Sequence, residues 1–264
     1  MQGWADLTRE LDAWAASGRA ATLWWRDDDA VEPTAALERL LGLAAAHDAP
    51  LALAVIPARA SAPLARRLAA ARPRATPVQH GFAHRNHASA GEKKCELGAH
   101  RPAAETLEEL ARGRARMDAL FGADWLPVLV PPWNRIAPDL LPGLARLGFT
   151  GVSTDGARAR AAPAPGLTQV NTHVDIMRWE PPRGFLGEAP SLGRLLAHLR
   201  ARRLGEADRD EPTGLLTHHP AHDDACWDFL ERLLAHLAGH PAARFVAPAD
   251  AFAAAPRSAK RGAA

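Results

Sequence analysis

Residues 21–30 read ATLWWRDDDA, an apolar run that ends in one arginine and three consecutive aspartates. The apolar part, Ala21–Arg26, predicts a β-strand. Three adjacent carboxylates at a strand end repel one another, and burial strengthens the repulsion. A cation or a hydrogen-bond network must therefore offset the charge of Asp27, Asp28 and Asp29. The alternative is an aspartate-rich turn that caps the next helix.

Similar short apolar runs recur along the chain, separated by helical stretches rich in Ala, Leu and Arg. The predicted strands are Ala21–Arg26, Pro50–Ile56, Thr76–Gln79, Leu126–Val130, Thr150–Thr154, Leu167–Asp175, Gly214–Thr217 and Arg244–Ala247. The predicted helices are Thr34–His47, Ala62–Ala71, Ala104–Phe121, Ala137–Leu147, Ser191–Leu204 and Ala225–Leu237. Such alternation implies a mainly parallel sheet with helices outside it. About eight strands in 264 residues favour an α/β barrel over an open sheet.

Composition sets the broad class of the chain. We predict one domain over residues 1–255 and a small, basic, disordered tail over residues 256–264. The net charge of +2, from 32 basic and 30 acidic residues, gives no case for a nucleic-acid partner. Cys95 and Cys226 form no close pair, which argues against a disulfide framework. No apolar stretch reaches the length of a membrane span and no secretion signal is recognisable, so we expect a cytoplasmic protein.

Polar residues follow five of the predicted strands, at the point where each strand ends. In a parallel barrel all these ends lie on one face, which is where active sites are found. Chance does not readily explain five separate strands that deliver such groups to one face. The groups are Asp27–Asp29 after LWWR, His80, His84 and His87 after TPVQ, Pro131–Arg135 after LPVLV, Asp175 within LTQVNTHVD, and His218 and His219 after GLLT.

Residues 80–87 read HGFAHRNH, so His80 and His84 are four positions apart. One helical turn or one tight loop can aim both imidazoles at a single point. Two histidines with one carboxylate leave an open coordination position, the pattern of a catalytic metal site. Zn²⁺ is the first expectation, and other first-row metals are alternatives. His87 is a candidate for a supporting position, and the competing interpretation is that these are surface or core histidines.

In order, RDDD, HGFAH, VPPWN, VDIMRW and LLTHH resemble the motifs of the polysaccharide deacetylase family, the NodB-homology group of carbohydrate esterases (family 4). The resemblance covers most of the chain, and its order makes it more specific than any single motif. It implies a distorted (β/α) barrel of about seven to eight parallel strands. It also implies a divalent metal cofactor.

The resemblance assigns roles residue by residue. Asp28 takes the position of the catalytic base, and Asp29 that of the metal-binding carboxylate. His80 and His84 match the two histidine ligands. His218 matches the general acid.

Further positions follow from the same resemblance. Trp133 matches the loop position whose backbone N–H helps bind the oxyanion. Asp175 and Trp179 are similar to the fourth motif, and Asp175 could orient His218. Leu216 lies two residues before the acid, as in the family. Whether His219 joins the site is left open.

The chain departs from the family pattern at two positions. The proline loop of the family begins with an arginine that contacts the base, and here Val130 stands in that place. Arg26 and Arg135 are the candidates to replace it. Ala30 stands where the family has glycine. These departures indicate a divergent member.

The resulting expectation is a metal-dependent hydrolase that removes an acetyl or other acyl group from an amide or ester of a sugar-like substrate. An amidohydrolase of a small cyclic amide or ureide would share the metal site. A glycosidase could use Asp28 and Asp175 as paired carboxylates without any metal. A catalytically silent binding module of the same fold is the fourth possibility.

Overall fold

The computed structural model describes residues 3–253, so the predicted tail over residues 256–264 lies outside the described residues. The helices are α1 (Trp4–Ala16), α2 (Ala35–Ala46), α3 (Ala62–Ala69), α4 (Ala103–Phe121), α5 (Leu141–Arg146), α6 (Glu188–Leu204), α7 (Asp224–Ala238) and α8 (Pro248–Ala251). The strands are β1 (Ala21–Ala30), β2 (Leu51–Val55), β3 (Ala75–His80), β4 (Val128–Val130), β5 (Gly151–Val152), β6 (Thr168–Gln169), β7 (Val174–Asp175), β8 (Met177–Arg178), β9 (Gly184–Phe185), β10 (Thr213–Thr217) and β11 (Ala243–Phe245).

One parallel sheet has the strand order β6-β5-β4-β3-β2-β1-β10-β7, and β11 pairs with the start of β1. The two outermost strands, β6 and β7, are separated by only four residues of chain. Five residue steps reach at most about 18 Å, so the two edges of the sheet must curl toward each other. The predicted distorted (β/α) barrel is therefore confirmed.

The predicted single strand Leu167–Asp175 is wrong in one respect, because the segment changes partner midway. Its first part pairs with β5 as Thr168 and Gln169, and its last part pairs with β10 as Val174 and Asp175. The residues between them cannot continue both ladders at once. This extended segment joins the two edges of the sheet and carries Asp175 to the face where β1, β3 and β10 end.

Helix α1, the hairpin β8–β9 and the short helix α8 have no counterpart among the predicted elements. Helix α1 buries Leu7, Leu11 and Trp14 on one face, and it packs against α6. The short hairpin β8–β9 pairs Met177 with Phe185 antiparallel, apart from the main sheet. Within residues 3–253, no helix is both long and apolar enough to cross a membrane.

The residue pattern of strand β2 and of helix α7 explains which of their side chains are buried. Strand β2, LALAV, is buried at every position because helices or other strands cover both of its faces. Asp223 caps the N-terminus of helix α7, because its carboxylate accepts the Cys226 backbone N–H. It turns a wide apolar stripe inward, comprising Trp227, Phe229, Leu230, Leu233, Leu234 and Leu237.

The end of β1 contains a bulge that matters for the site. Its register against β2 pairs Asp27 with Leu53 and Ala30 with Val55, so three steps on β1 face two on β2. Asp29 sits in this bulge with φ 76°, the left-handed region that a non-glycine residue seldom adopts. Successive side chains of a regular strand point to opposite faces. The bulge breaks that alternation, which lets the neighbours Asp28 and Asp29 serve one face.

Candidate metal and acid–base site

Asp29, His80 and His84 meet at the carboxyl ends of β1 and β3. The Asp29 Oδ1 atom lies 3.4 Å from Nε2 of His80 and 3.4 Å from Nε2 of His84. All three candidate ligand atoms lie within 4.8 Å of one another. A tetrahedral site with bonds of about 2.1 Å has ligand–ligand distances of about 3.4 Å. The observed spacing therefore fits a divalent metal between these three side chains.

The surroundings of these atoms favour a cation. Asp29 Oδ1 is buried and has no hydrogen-bond partner among the described residues, a costly state for a carboxylate oxygen unless a cation binds it. His80 Nδ1 lies 3.0 Å from the Val130 carbonyl oxygen, so it donates its proton there and leaves the Nε2 lone pair free. Burial alone would raise the pKa of Asp29, but the imidazoles of His80, His218 and His84 lower it below its usual value.

Backbone strain concentrates at the same place. Among the described residues, five non-glycine residues have positive φ, and four of them belong to this face: Asp29, His84, Trp133 and Asn134. Such conformations cost about 1–3 kcal/mol each and persist only where surrounding structure enforces them. The ring of Trp133 lies 4.3 Å from that of His84, which joins the proline loop to the histidine loop. The strain thus marks the residues that the sequence motifs had singled out.

Glu96 holds the loop between the two histidines, a role that no sequence motif predicts. Its buried carboxylate accepts the backbone N–H groups of Phe82, Ala83 and Arg85, at 3.2, 2.8 and 3.3 Å. At Gly81, φ is 52° and an added Cβ would lie 2.0 Å from the Glu96 carboxylate. Only glycine fits there, because the loop wraps directly around that side chain.

Of the two candidate arginines, Arg26 is the one that contacts Asp28. Its guanidinium donates Nε to Asp28 Oδ1 at 2.9 Å and Nη2 to Asp28 Oδ2 at 3.0 Å, and neither side chain is more than 4% exposed. It also donates to Ser153 Oγ at 2.7 Å and to Asn134 Oδ1 at 2.6 Å. Arginine and base are two residues apart on one strand, which places both on the same face.

Arg135, the other candidate, does not contact the base. Its Nη1 donates to the backbone oxygen of Lys94 at 2.8 Å. Val130 is wholly buried and contributes its carbonyl oxygen to His80 instead. The residue at this family position therefore acts through its backbone, and its side chain packs in the core.

His218 lies between two carboxylates. Its Nε2 is 3.9 Å from Asp28 Oδ2, and its Nδ1 is 3.8 Å from Asp175 Oδ1. The Nδ1 atom is buried without a hydrogen-bond partner in residues 3–253. Asp175 in turn accepts the indole N–H of Trp179 at 2.8 Å, and the Trp179 ring meets the edge of His218 at 4.6 Å. The structure thus brings His218 together with Asp28, Asp175 and Trp179.

Asp27 and His219 form a buried pair next to His218. Asp27 accepts the Thr217 hydroxyl at 2.7 Å, the His219 backbone N–H at 2.9 Å and, at 2.5 Å, the His219 ring. Burial alone would raise the pKa of Asp27, but the His219 imidazole lowers it overall. Thr217 and His219 are the two sequence neighbours of His218. His219 therefore supports the strand end, and its ring faces Asp27 and not the metal ligands.

Two further histidine groups are not part of the metal site. His87 does not belong to either cluster of candidate ligands found within residues 3–253. The second cluster is His173, His198 and Glu211, but its imidazole rings stack with centroids 3.3 Å apart and planes within 15°. A metal lies near the plane of each imidazole that binds it, and two parallel planes this far apart cannot share one ion. The Gly214 backbone N–H, moreover, already donates to His173 Nδ1.

Comparisons with solved structures find the same fold at low sequence identity. A protein of Mycobacterium smegmatis classed as a polysaccharide deacetylase has a TM-score of 0.59 and 16% identity, over 85% of this chain and 86% of that one. A family 4 acetyl xylan esterase from Clostridium thermocellum, in complex with a cobalt ion, has a TM-score of 0.50 and 15% identity, over 88% and 90%. A pseudoenzyme of carbohydrate esterase family 4 from Bacillus anthracis has a TM-score of 0.54 and 11% identity, over 88% and 66%.

No sequence-family profile matches the chain, and no curated protein matches it by sequence. The predicted resemblance to polysaccharide deacetylases is confirmed at the level of the fold. Because this fold serves both an esterase and a pseudoenzyme, function has to be argued from the site.

Proposed function

We propose that this chain is a metal-dependent hydrolase that removes an acetyl or other acyl group from an amide or ester of a sugar-like substrate. The observation that carries the proposal is the buried, unpartnered Oδ1 of Asp29 with two imidazole nitrogens 3.4 Å away. Asp29, His80 and His84 would hold the metal, and Zn²⁺ is the first candidate for this donor set. When bound, such a metal supplies Lewis-acid polarisation of a carbonyl and a water of lowered pKa.

The remaining groups fit the two proton transfers that acyl hydrolysis needs. Asp28, held in one orientation by Arg26, would accept the proton of the attacking water at Oδ2. His218, 3.9 Å from that oxygen, would protonate the departing amine or alkoxide. The Trp133 backbone N–H would donate to the developing oxyanion. Asp175 would orient the His218 ring from its Nδ1 side.

The geometry counts against a glycosidase that uses Asp28 and Asp175. Paired glycosidase carboxylates need an open gap that holds the sugar carbon or a water molecule. Here the His218 ring occupies the space between the two, at 3.9 and 3.8 Å. Asp28 is also paired to Arg26 through both of its oxygens.

The test is metal content followed by activity. Protein purified and loaded with Zn²⁺ is expected to retain about one ion per chain, and His80→Ala should lose it. His87→Ala is the matched control, since it removes a histidine of the same loop that lies outside the cluster. Unchanged metal content in His80→Ala would refute the site.

Activity is then screened on acetylated sugars, acetyl esters and small cyclic amides, with and without a chelator. Hydrolysis of acetylated compounds that stops with chelator supports the proposal. Cleavage of cyclic amides alone assigns the chain to amidohydrolases. A metal-loaded chain that cleaves none of them is the silent binding module, and Asp28→Asn with full turnover would refute the base.

A further inference from the structure

A cavity of about 370 Å³ opens beside the base, at the carboxyl ends of β4, β5 and β6. Asn134 and Thr154 form its inner wall, and both contact the guanidinium of Arg26 that holds Asp28. Pockets of 300–1,000 Å³ take small molecules, so this one suits a single sugar-sized unit. Nothing in the proposed mechanism uses it.

The polar groups of the cavity are already oriented by their neighbours. Asn134 Oδ1 accepts from Arg26, so its Nδ2 is turned elsewhere and donates to no other residue within 3–253. Gln169 donates both amide protons, to Thr154 Oγ1 at 3.2 Å and to Asn171 Oδ1 at 3.1 Å. Its Oε1 therefore remains as an acceptor in the lining.

Arg135 is the charged residue of the lining, and no carboxylate belongs to the lining. Its guanidinium makes one hydrogen bond, to the Lys94 carbonyl oxygen, and forms no ion pair with a carboxylate among the described residues. The apolar residues of the lining are Ile136, Leu141 and Val152. The lining thus combines a guanidinium and an amide donor with apolar side chains.

We infer that this cavity binds the carboxylate of an acylated acid, so that the substrate is a small anionic molecule, either an acylated sugar acid or an N-acyl amino acid. That the ligand is a substrate rests on the proposed hydrolase function. The binding site itself is argued only from the residues that line the cavity. Arg135 and Asn134 Nδ2 would donate to the carboxylate, as guanidinium and amide groups do. Gln169 Oε1 would accept from a hydroxyl or amide, and the apolar side chains would cover the body of the ligand.

The experiment measures binding by calorimetry with two matched pairs of probes. The first pair is N-acetylglucosaminuronic acid and N-acetylglucosamine, which share a ring and differ in the charge at carbon 6. The second pair is N-acetylalanine and its primary amide. At least one acid should bind about tenfold more tightly than its neutral partner, the size of a charge-assisted hydrogen bond, and 0.5 M salt should reduce the difference. The pair that shows the difference identifies the source of the carboxylate.

Two variants and one control locate the site. Arg135→Gln should abolish the preference for the acid, whereas Arg200→Gln, at an exposed arginine on α6, removes the same charge and should leave it intact. Leu141→Trp keeps every charge but fills the cavity, and it should weaken both members of the pair. Equal binding of acid and neutral probe, or a preference that survives Arg135→Gln, would overturn the inference.

Failure of the two proposals can be told apart. If the chain prefers the acid but cleaves no acyl bond, the subsite is supported and the hydrolase function is refuted. If the chain cleaves neutral and acidic acyl compounds with equal kcat/KM and binds them equally, the hydrolase function is supported and the subsite is refuted.

Discussion

Replacing Arg26 by Met gives the sharpest test of how the base is held. The change removes every donor of the guanidinium and keeps an unbranched apolar side chain of similar reach. Asp28 would then be a carboxylate with 4% exposure and no cation beside it, and Ser153 Oγ and Asn134 Oδ1 would lose a donor. Removing one partner of a buried ion pair costs about 3–5 kcal/mol. We expect the free energy of unfolding to fall by that amount.

Arg67 supplies a matched control, because it makes the same two-pronged contact with Glu38. Its Nε and Nη2 donate to the two carboxylate oxygens at 2.6 and 2.8 Å, but the side chains are 31% and 50% exposed. Exposed pairs contribute about 0–1 kcal/mol. Arg67→Met should therefore cost less than about 1 kcal/mol, although its geometry resembles that of the buried pair.

The assay is urea denaturation at pH 7, followed by the fluorescence of the eight tryptophans. Equal denaturant slopes are needed before the variants can be compared. The double variant Arg26→Met/Asp28→Asn should recover part of the loss, with a coupling energy of about 2–3 kcal/mol. If Arg26→Met costs no more than Arg67→Met, the ion pair does not stabilise the strand end and the account of the base is wrong.

Three further predictions concern the support of the site and the core. Burial lowers the pKa of His198 to about 2, against 6.5 when unfolded, so unfolding below pH 6.5 takes up a proton. The free energy of unfolding of the wild type should fall by about 2 kcal/mol between pH 7.5 and 5 through this group. Urea denaturation at both pH values should show a smaller fall for His198→Asn. Glu96→Gln should weaken Zn²⁺ binding about tenfold in chelator competition, as supporting residues typically do, and an unchanged affinity contradicts the role of its backbone contacts. Asp27→Asn should lower kcat roughly 10- to 100-fold through misalignment of His218 while Zn²⁺ content stays constant, and a change in KM alone would argue against it.

The sequence predicts this fold well wherever one apolar run corresponds to one strand. The runs at Ala21–Arg26 and Pro50–Ile56 end within a few residues of β1 and β2, apart from the extension of β1 through the aspartates. The strand prediction fails at Leu167–Asp175, because a pattern of apolar residues does not indicate that the partner strand changes midway. Barrel closure decides that, and closure is a property of the whole sheet.

The residues of the candidate site are likewise predicted from the sequence only in part. The order of motifs brings forward Asp29, His80 and His84, and strand ends on one face explain why they meet. Glu96 escapes detection because it is one acid in a polar stretch, and only the fold shows that three backbone N–H groups surround it. The β8–β9 hairpin that carries Trp179 is too short to show a strand pattern.

The negative charges of the three consecutive aspartates repel one another, and each aspartate is balanced by a different group. Asp27 is balanced by the ring of His219, and Asp28 by the guanidinium of Arg26. Asp29 has two imidazoles beside its Oδ1. Burial alone would lower the pKa of His80, but the carboxylates of Asp28 and Asp29 raise it, whereas burial lowers the pKa of His84. A lowered pKa keeps the His84 imidazole neutral, which suits a metal ligand, and His80 is then the one imidazole beside Asp29 whose pKa is raised. A divalent cation adds positive charge there, so the repulsion within the run itself argues for a metal at Asp29.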